Sequence, residues 1–293
     1  MTNYQTNNIS KQKRFSHRNL GIGICLVIVS CVLVINSSLF SQDSNPQRII
    51  SLGPVITRQL SLLKAEDKII GVTTYCEIEG KDIIGTIMEA NIEKILMLKP
   101  DIVLATNLTN IKTIQRLKNL KINVAVFDEV KSFQQLCEQF LQLARLVNKE
   151  EIGSEIVSKA QEKLSILSQR SKKLPKQKVV VQIGANPLWI ATKNSLINDF
   201  IELAGGINIG PAGENGLVSR EYIVRQNPDA IIIIEMGILA EEEKANWMKL
   251  ETINAVKQKR IHIVDSYDIC SPTPLSFVET LEEISRILHP EVE

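Results

Sequence analysis

The sequence predicts an α/β protein of two lobes, each with a mostly parallel sheet, joined by a single long α-helix and leaving a cleft between them. Three observations carry this expectation. Short β-branched runs alternate with helical periodicities along both halves of the 293-residue chain, the pattern of parallel sheets covered on both faces. A long amphipathic stretch separates the halves. One spacing also occurs twice: Asn91-Ile92-Glu93 runs on to Lys99-Pro100-Asp101-Ile102-Val103, and Ser219-Arg220-Glu221 runs on to Asn227-Pro228-Asp229-Ala230-Ile231. The shift of 128 positions, from Glu93 to Glu221, is too long for a solenoid repeat. It fits two similar lobes that use the same helix-turn-strand step.

In the first half, Arg48–Leu52 reads as a short strand ending at Gly53-Pro54, followed by a helix carrying Leu60, Leu62 and Leu63. Lys68–Val72 is a second strand. The helix from Asn91 is expected to bury Ile92, Ile95, Leu96 and Leu98 before Pro100-Asp101 turns into the strand Ile102–Ala105. A helix with Ile111, Ile114 and Leu117 leads to the strand Val124–Phe127. In the second half, Lys178–Ile183 is a strand closed by Gly184. A helix through Leu196, Ile197, Phe200, Ile201 and Leu203 stops at Gly205-Gly206. The Ser219 helix, strands Ala230–Ile234 and Arg260–Val264, and a final helix with Phe277, Leu281, Ile284 and Leu288 complete the plan. Each half is thus a Rossmann-like lobe.

Between them, Ser132 with Gln135 and Asn148 with Glu151 have capping-box spacing. The helix from about Lys149 to Lys172 has Ile152, Ile156, Ala160, Leu164 and Leu167 on one stripe. At 1.5 Å per residue it spans roughly 35 Å, enough to bridge two small domains. The expected organisation is an N-terminal lobe over 46–147, the connecting helix over 148–175 and a C-terminal lobe over 176–293.

Residues 1–41 are a targeting segment. Lys11, Lys13, Arg14 and Arg18 precede an apolar run from Leu20 to Ile35, and the basic flank leaves the remainder outside the cytoplasm. Cleavage after Ser37 or Ser41, lipidation at Cys31, and retention as a membrane anchor all remain open. The expected location is therefore periplasmic, or anchored to the outer face of the cytoplasmic membrane. A net charge of +1 argues against nucleic acid as a partner. Of five cysteines, Cys76, Cys137 and Cys270 lie in the exported body, an odd number that makes no complete disulfide framework. Cys137 shares a helical face with Phe133, Leu136 and Phe140, as a small buried hydrophobe would.

The chain presents no catalytic arrangement. His17, His262 and His289 lack metal-ligand spacing. There is no Gly-x-Ser-x-Gly turn, Walker lysine or dinucleotide fingerprint. The expectation is a non-enzymatic binding protein with neither metal nor cofactor of its own. Over about residues 47–290 the sequence resembles the helical-backbone class of ABC-transporter substrate-binding proteins, which capture iron-siderophores, haem or cobalamin. The matching residues are Arg48–Pro54, Gly71–Cys76, Gly85-Thr86 before Asn91-Ile92-Glu93, Leu98–Asp101, Ala204–Ile209, and Val218–Glu221 before Asn227-Pro228-Asp229.

That resemblance implies a small-molecule metal chelate or corrinoid held between the lobes, and delivery to a permease dimer with its ATPase subunits. It implies that Glu93 and Glu221 dock onto permease arginines; the alternative is that each simply favours its helix N-terminus. Cobalamin binders of the class often carry tryptophans six residues before each docking glutamate, where this chain has Ile87 and Asn215. Candidate cleft residues are Tyr75, Cys76, Met88, Glu89, Trp189, Asn215, Tyr267 and Cys270, with Arg58 and Arg220 as weaker candidates for an anionic ligand. Cys76 and Cys270 are open to three readings: a lobe-to-lobe disulfide, soft ligands to a metal complex, or two unrelated thiols. A membrane-tethered sensor of the same fold is the alternative function.

Overall fold

The computed structural model describes residues 45–235 and 240–291. The N-terminal segment expected to be a targeting sequence, with its candidate lipidation and cleavage positions, lies outside them. Among the described residues, no helix is long and apolar enough to cross a membrane.

The first sheet has strands β1 (Ile49–Ser51), β2 (Ile69–Val72), β3 (Asp82–Ile83), β4 (Ile102–Thr106) and β5 (Val124–Phe127). Their order is β3-β2-β1-β4-β5, and every pairing is parallel. The second sheet centres on β6 (Gln177–Gly184). Strand β9 (Ala230–Glu235) lies parallel beside it, with β10 (Ile261–Asp265) beyond. On β6 also pair β7 (Trp189–Ile190), antiparallel, and β8 (Gly206–Asn208), parallel.

The central strands of both sheets are buried on both faces, so alternate residues of one strand enter different cores. Ile49, Ile102 and Leu104 face one cluster while Ile50, Val103 and Ala105 face another. In the second sheet, Val179, Val181 and Ile232 join the first of these clusters, whereas Val180, Ile231 and Ile233 enter a third. One core therefore runs from sheet to sheet. Helices α4 (Phe133–Leu146), α5 (Glu150–Ser171) and α11 (Pro274–Leu288) fill the space between, and Phe277 packs against both Phe133 and Phe200. The described residues form a single compact unit. The bridging helix α5 is 22 residues long, about 33 Å.

The repeated spacing has a structural reason. Helix α2 (Ile92–Leu98) is capped by Asn91, whose side chain accepts the Lys94 N–H, and ends on Lys99 at φ 47°. Helix α7 (Arg220–Gln226) is capped by Ser219, which accepts the Tyr222 N–H, and ends on Asn227 at φ 48°. Each is followed by Pro-Asp. Asp101 accepts the N–H groups of Gln47 (2.8 Å) and Arg48 (2.9 Å) at the entrance to β1. Asp229 accepts the Lys178 N–H (2.9 Å) at the start of β6. A basic side chain at each of these strand starts returns to the last carbonyls of the helix: Arg48 to Leu98 and Lys99, and Lys178 to Gln226. Cations there meet the negative end of the helix dipole.

Three local expectations change. Leu96 is 38% exposed, and of α2 only Ile95 is fully buried, because a helix of two turns offers the sheet a single row. Ser132 does cap α4 through the Gln135 N–H, but the Gln135 side chain accepts from Lys131 rather than Ser132, so the box is shifted by one residue. Asn148 does not cap α5. It sits at φ 55° as the left-handed residue closing α4, with Asn148 N–H to Arg145 O and Lys149 N–H to Ala144 O. This is a Schellman stop, and it leaves Lys149 before α5 with no side-chain cap.

Candidate functional site

In open α/β sheets, ligands bind beyond the carboxyl ends of the strands. In the first sheet those ends lead to Gly53 after β1 and to the Thr73–Ile78 loop after β2. Tyr75 takes a left-handed conformation (φ 68°) and is 85% exposed. The next residue, Cys76, turns inward: its sulfur lies 3.3 Å from the Thr57 hydroxyl, which is itself 2.9 Å from Ser51 Oγ. Met88 and Glu89 are exposed at a tight turn preceding α2. Gly85 makes that turn at φ +118°, where a Cβ would stand 2.3 Å from the Glu89 carbonyl oxygen. The Glu89 N–H donates to Thr86 Oγ1 at 3.0 Å.

From the second sheet, α10 (Ser266–Cys270) starts directly at the end of β10, with Asp265 as its cap. It meets α1 (Pro54–Leu62) of the first half. Arg58 donates to Asp268 (2.9 Å) and to the carbonyls of Tyr267 (3.1 Å) and Ser271 (3.3 Å), and its guanidinium stacks 4.6 Å from the Tyr267 ring centre. Arg58 is thus committed to the protein itself. Beside it opens a cavity of about 480 Å³ bordered by Thr57, Ser61, Glu66, Glu77, Asp265 and Tyr267. Burial, reinforced by the Glu77 charge, pushes the Tyr267 phenol above its usual range against the pull of Arg58. Cys76 and Cys270 are both free thiols, half-buried and exposed respectively. Cys137 is buried as expected, and desolvation first, with Glu138 adding, pushes its thiol up to about 12.

A second set of contacts crosses between the halves. Lys131 meets Glu214 at 2.7 Å, and Asn194 donates to the same carboxylate oxygen at 2.5 Å. The Phe133 N–H donates to Asp199 at 2.7 Å. Asn215, next to Glu214, uses its side-chain oxygen to accept the Leu217 N–H (2.9 Å). Trp189 is 38% exposed and lies against Gly216, where a Cβ would come within 2.7 Å of its indole nitrogen.

Glu93 and Glu221 occupy equivalent places in the first turns of α2 and α7, both exposed. The Ser219 hydroxyl, and after it a backbone N–H, hold the Glu221 carboxyl below its usual range. Arg220 is turned inward. Its Nη2 contacts both oxygens of Glu243 at 2.8 and 2.7 Å, and its guanidinium stacks 4.5 Å from the Trp247 ring centre. The contacts that join Glu243, Gln182 and Trp247 leave no mark in the sequence. Glu243 lies on α8 (Ala240–Met248), whose apolar periodicity is broken because a glutamate takes an inward position. Among the described residues, no group of three His, Cys, Asp or Glu side chains is arranged to hold a metal ion.

The family model described as periplasmic binding protein matches residues 49–267. The chain is 27% identical over 261 residues to an uncharacterized ABC transporter substrate-binding lipoprotein of Bacillus subtilis, covering 84% of this chain and 81% of the relative. It is 23% identical over 271 residues to a cobalamin-binding protein of Halobacterium salinarum, covering 87% and 72%. Among solved structures, a possible iron-binding periplasmic solute-binding protein of Staphylococcus epidermidis superposes with a TM-score of 0.73 at 26% identity. That match covers 84% of this chain and all of the other.

Proposed function

The chain belongs to the periplasmic binding protein family, and on that premise we propose that it is the extracytoplasmic substrate-binding component of an ABC importer for an iron complex or a corrinoid. The observation that carries this reading is the pair of matched docking frames. Two helices of seven residues, one per sheet, share cap, first-turn glutamate, left-handed stop and aspartate clamp. A rigid pair of exposed carboxylates suits a permease with two equivalent arginine-bearing faces, through charge-assisted bonds. The cargo is a haem, a ferric siderophore or a cobalamin; the Halobacterium relative is named for cobalamin and the Staphylococcus relative for possible iron binding. Tyr75, Met88, Glu89 and Trp189 border the ligand, with Asn215 shaping the turn beside Trp189 and with Tyr267, Cys76 and Cys270 at the Arg58 end. The chain captures and delivers without converting its cargo, and the partner ATPase supplies the energy. It works outside the cytoplasmic membrane, released or anchored there by its N-terminal segment.

Fluorescence titration tests this reading. The chain has two tryptophans, half-exposed Trp189 and buried Trp247. Saturable quenching by cyanocobalamin, haemin or a ferric siderophore, corrected for absorption and repeated by calorimetry, is the expected result. Failure of all three to bind would reject the proposed ligand class.

A further inference from the structure

We propose that Arg220 is the positioning residue for Glu221: a polar chain, buried at Gln182, Glu243 and Trp247 and closed by half-buried Arg220, fixes the C-terminal docking helix on its sheet. The inference rests on the docking reading of Glu221 above. It starts from an inequality between the two frames. The position equivalent to Arg220, by the same shift of 128, is Ile92, which packs against the apolar cluster containing Ile95. A helix of this kind therefore seats well on an apolar residue, and α7 does not need arginine to fold.

What arginine adds is direction. Apolar packing resists separation but tolerates rotation and sliding, whereas a charged pair with two short contacts fixes the group it holds. Glu243 is 7% exposed, and Gln182 and Trp247 are wholly buried. Gln182 projects from β6, donates to Glu243 at 2.7 Å and accepts the Trp247 indole N–H at 2.6 Å. Asn246 donates to the other Glu243 oxygen at 3.3 Å. The carboxylate is thus held from two sides, by Gln182 and Asn246, and Arg220 closes the third. Arg220 Nη1 is buried without a partner, so the guanidinium is placed by the carboxylate and the indole rather than by satisfying all its own donors. Removing Arg220 would leave Glu243 buried and short of its cation, which is costlier than never having built the pair. The next residue after this anchor is Glu221.

The test compares Arg220→Gln, Arg220→Lys, Glu243→Gln and Glu221→Gln in the full chain. Amide hydrogen exchange over α7 is read first, and Trp247 emission is read in a Trp189→Phe background. Cellular uptake of labelled cyanocobalamin, haemin and ferrichrome completes the set. Loss of a bond to a charged group is expected to speed α7 exchange about tenfold or more in Arg220→Gln and Glu243→Gln. Trp247 emission should shift and uptake fall, while affinity for whichever probe binds stays within about twofold. Arg220→Lys, which keeps charge but not the planar fork, should recover part of both. Glu221→Gln should lose uptake with unchanged exchange. Wild-type exchange and uptake in Arg220→Gln overturn the positioning role alone. Unchanged uptake in Glu221→Gln removes the docking reading and this role with it, and no uptake of any probe by the unaltered chain removes the importer reading.

Discussion

Gly153 sits where α4 and α5 cross, and replacing it should damage a helix that alanine ordinarily improves. A Cβ at this position would stand 2.6 Å from Ala144 Cβ, with Leu141 and Leu63 methyls at 3.6 Å. Carbon atoms in contact prefer about 3.5–4.0 Å, so the helices must part by about 1 Å. Ala144 is fully buried, and an alanine Cβ at either position is fixed by the backbone, with no torsion that moves it away. Gly153→Ala gains about 0.5–1 kcal/mol of helix propensity and loses about 1–3 kcal/mol to overpacking. With no escape the larger cost applies, for a net loss of about 2–2.5 kcal/mol. Ala144→Gly alone forfeits about 1 kcal/mol of propensity and about 0.8 kcal/mol for the methyl. The double variant only moves one methyl from α4 to α5, so its stability should return close to wild type. The cycle therefore predicts a favourable coupling of about 4 kcal/mol. Urea unfolding followed by circular dichroism would read it as midpoint shifts at constant slope. A Gly153→Ala variant as stable as the parent, or more so, would refute the close approach.

Replacing both Glu93 and Glu221 with alanine should abolish uptake while leaving ligand affinity within about twofold; a large loss of affinity would place these residues in the binding site instead. Asp101→Ala should cost about 2 kcal/mol, since it frees two backbone N–H groups at an exposed strand entrance, and Asp101→Asn about half that; equal stability of all three in urea would dismiss the clamp. Asp199 is raised above 3.8 because burial outweighs the bond from the Phe133 N–H. Its folded form therefore binds the proton more tightly than its unfolded form, and stability falls as pH climbs from about 3.8 through the folded value. Asp199→Asn keeps an acceptor for Phe133 without the charge, so its stability relative to wild type should improve as pH rises across that window; the opposite trend counts against burial as the dominant cause.

Much of this architecture is written locally. The strands Ile102–Thr106 and Ala230–Glu235 are apolar at successive positions because both faces of each are covered. The duplicated cap, glutamate and Pro-Asp spacing marks two equivalent helices, because caps and clamps act over a few residues. Local spacing misled where a segment was shared. Asn148 has the composition of a cap for α5, but its left-handed geometry ends α4. Strands β7 and β8, of two and three residues, carry no period and exist because β6 offers them an edge. Helix α8 has no readable apolar period because one inward position holds Glu243, tolerable only where Gln182 and Arg220 come to meet it.

The sequence by itself determined the fold class, the two lobes' common plan, the family and the positions of Glu93 and Glu221, all of which follow from hydrophobic period and from contacts between near neighbours. Only the tertiary structure decided which charges are spent and which remain available. Arg58 meets Tyr267 across 209 positions of chain, and Arg220 meets Glu243 across 23. The strength of such a pair depends on distance and burial in space, and neither periodicity nor spacing along the chain encodes them.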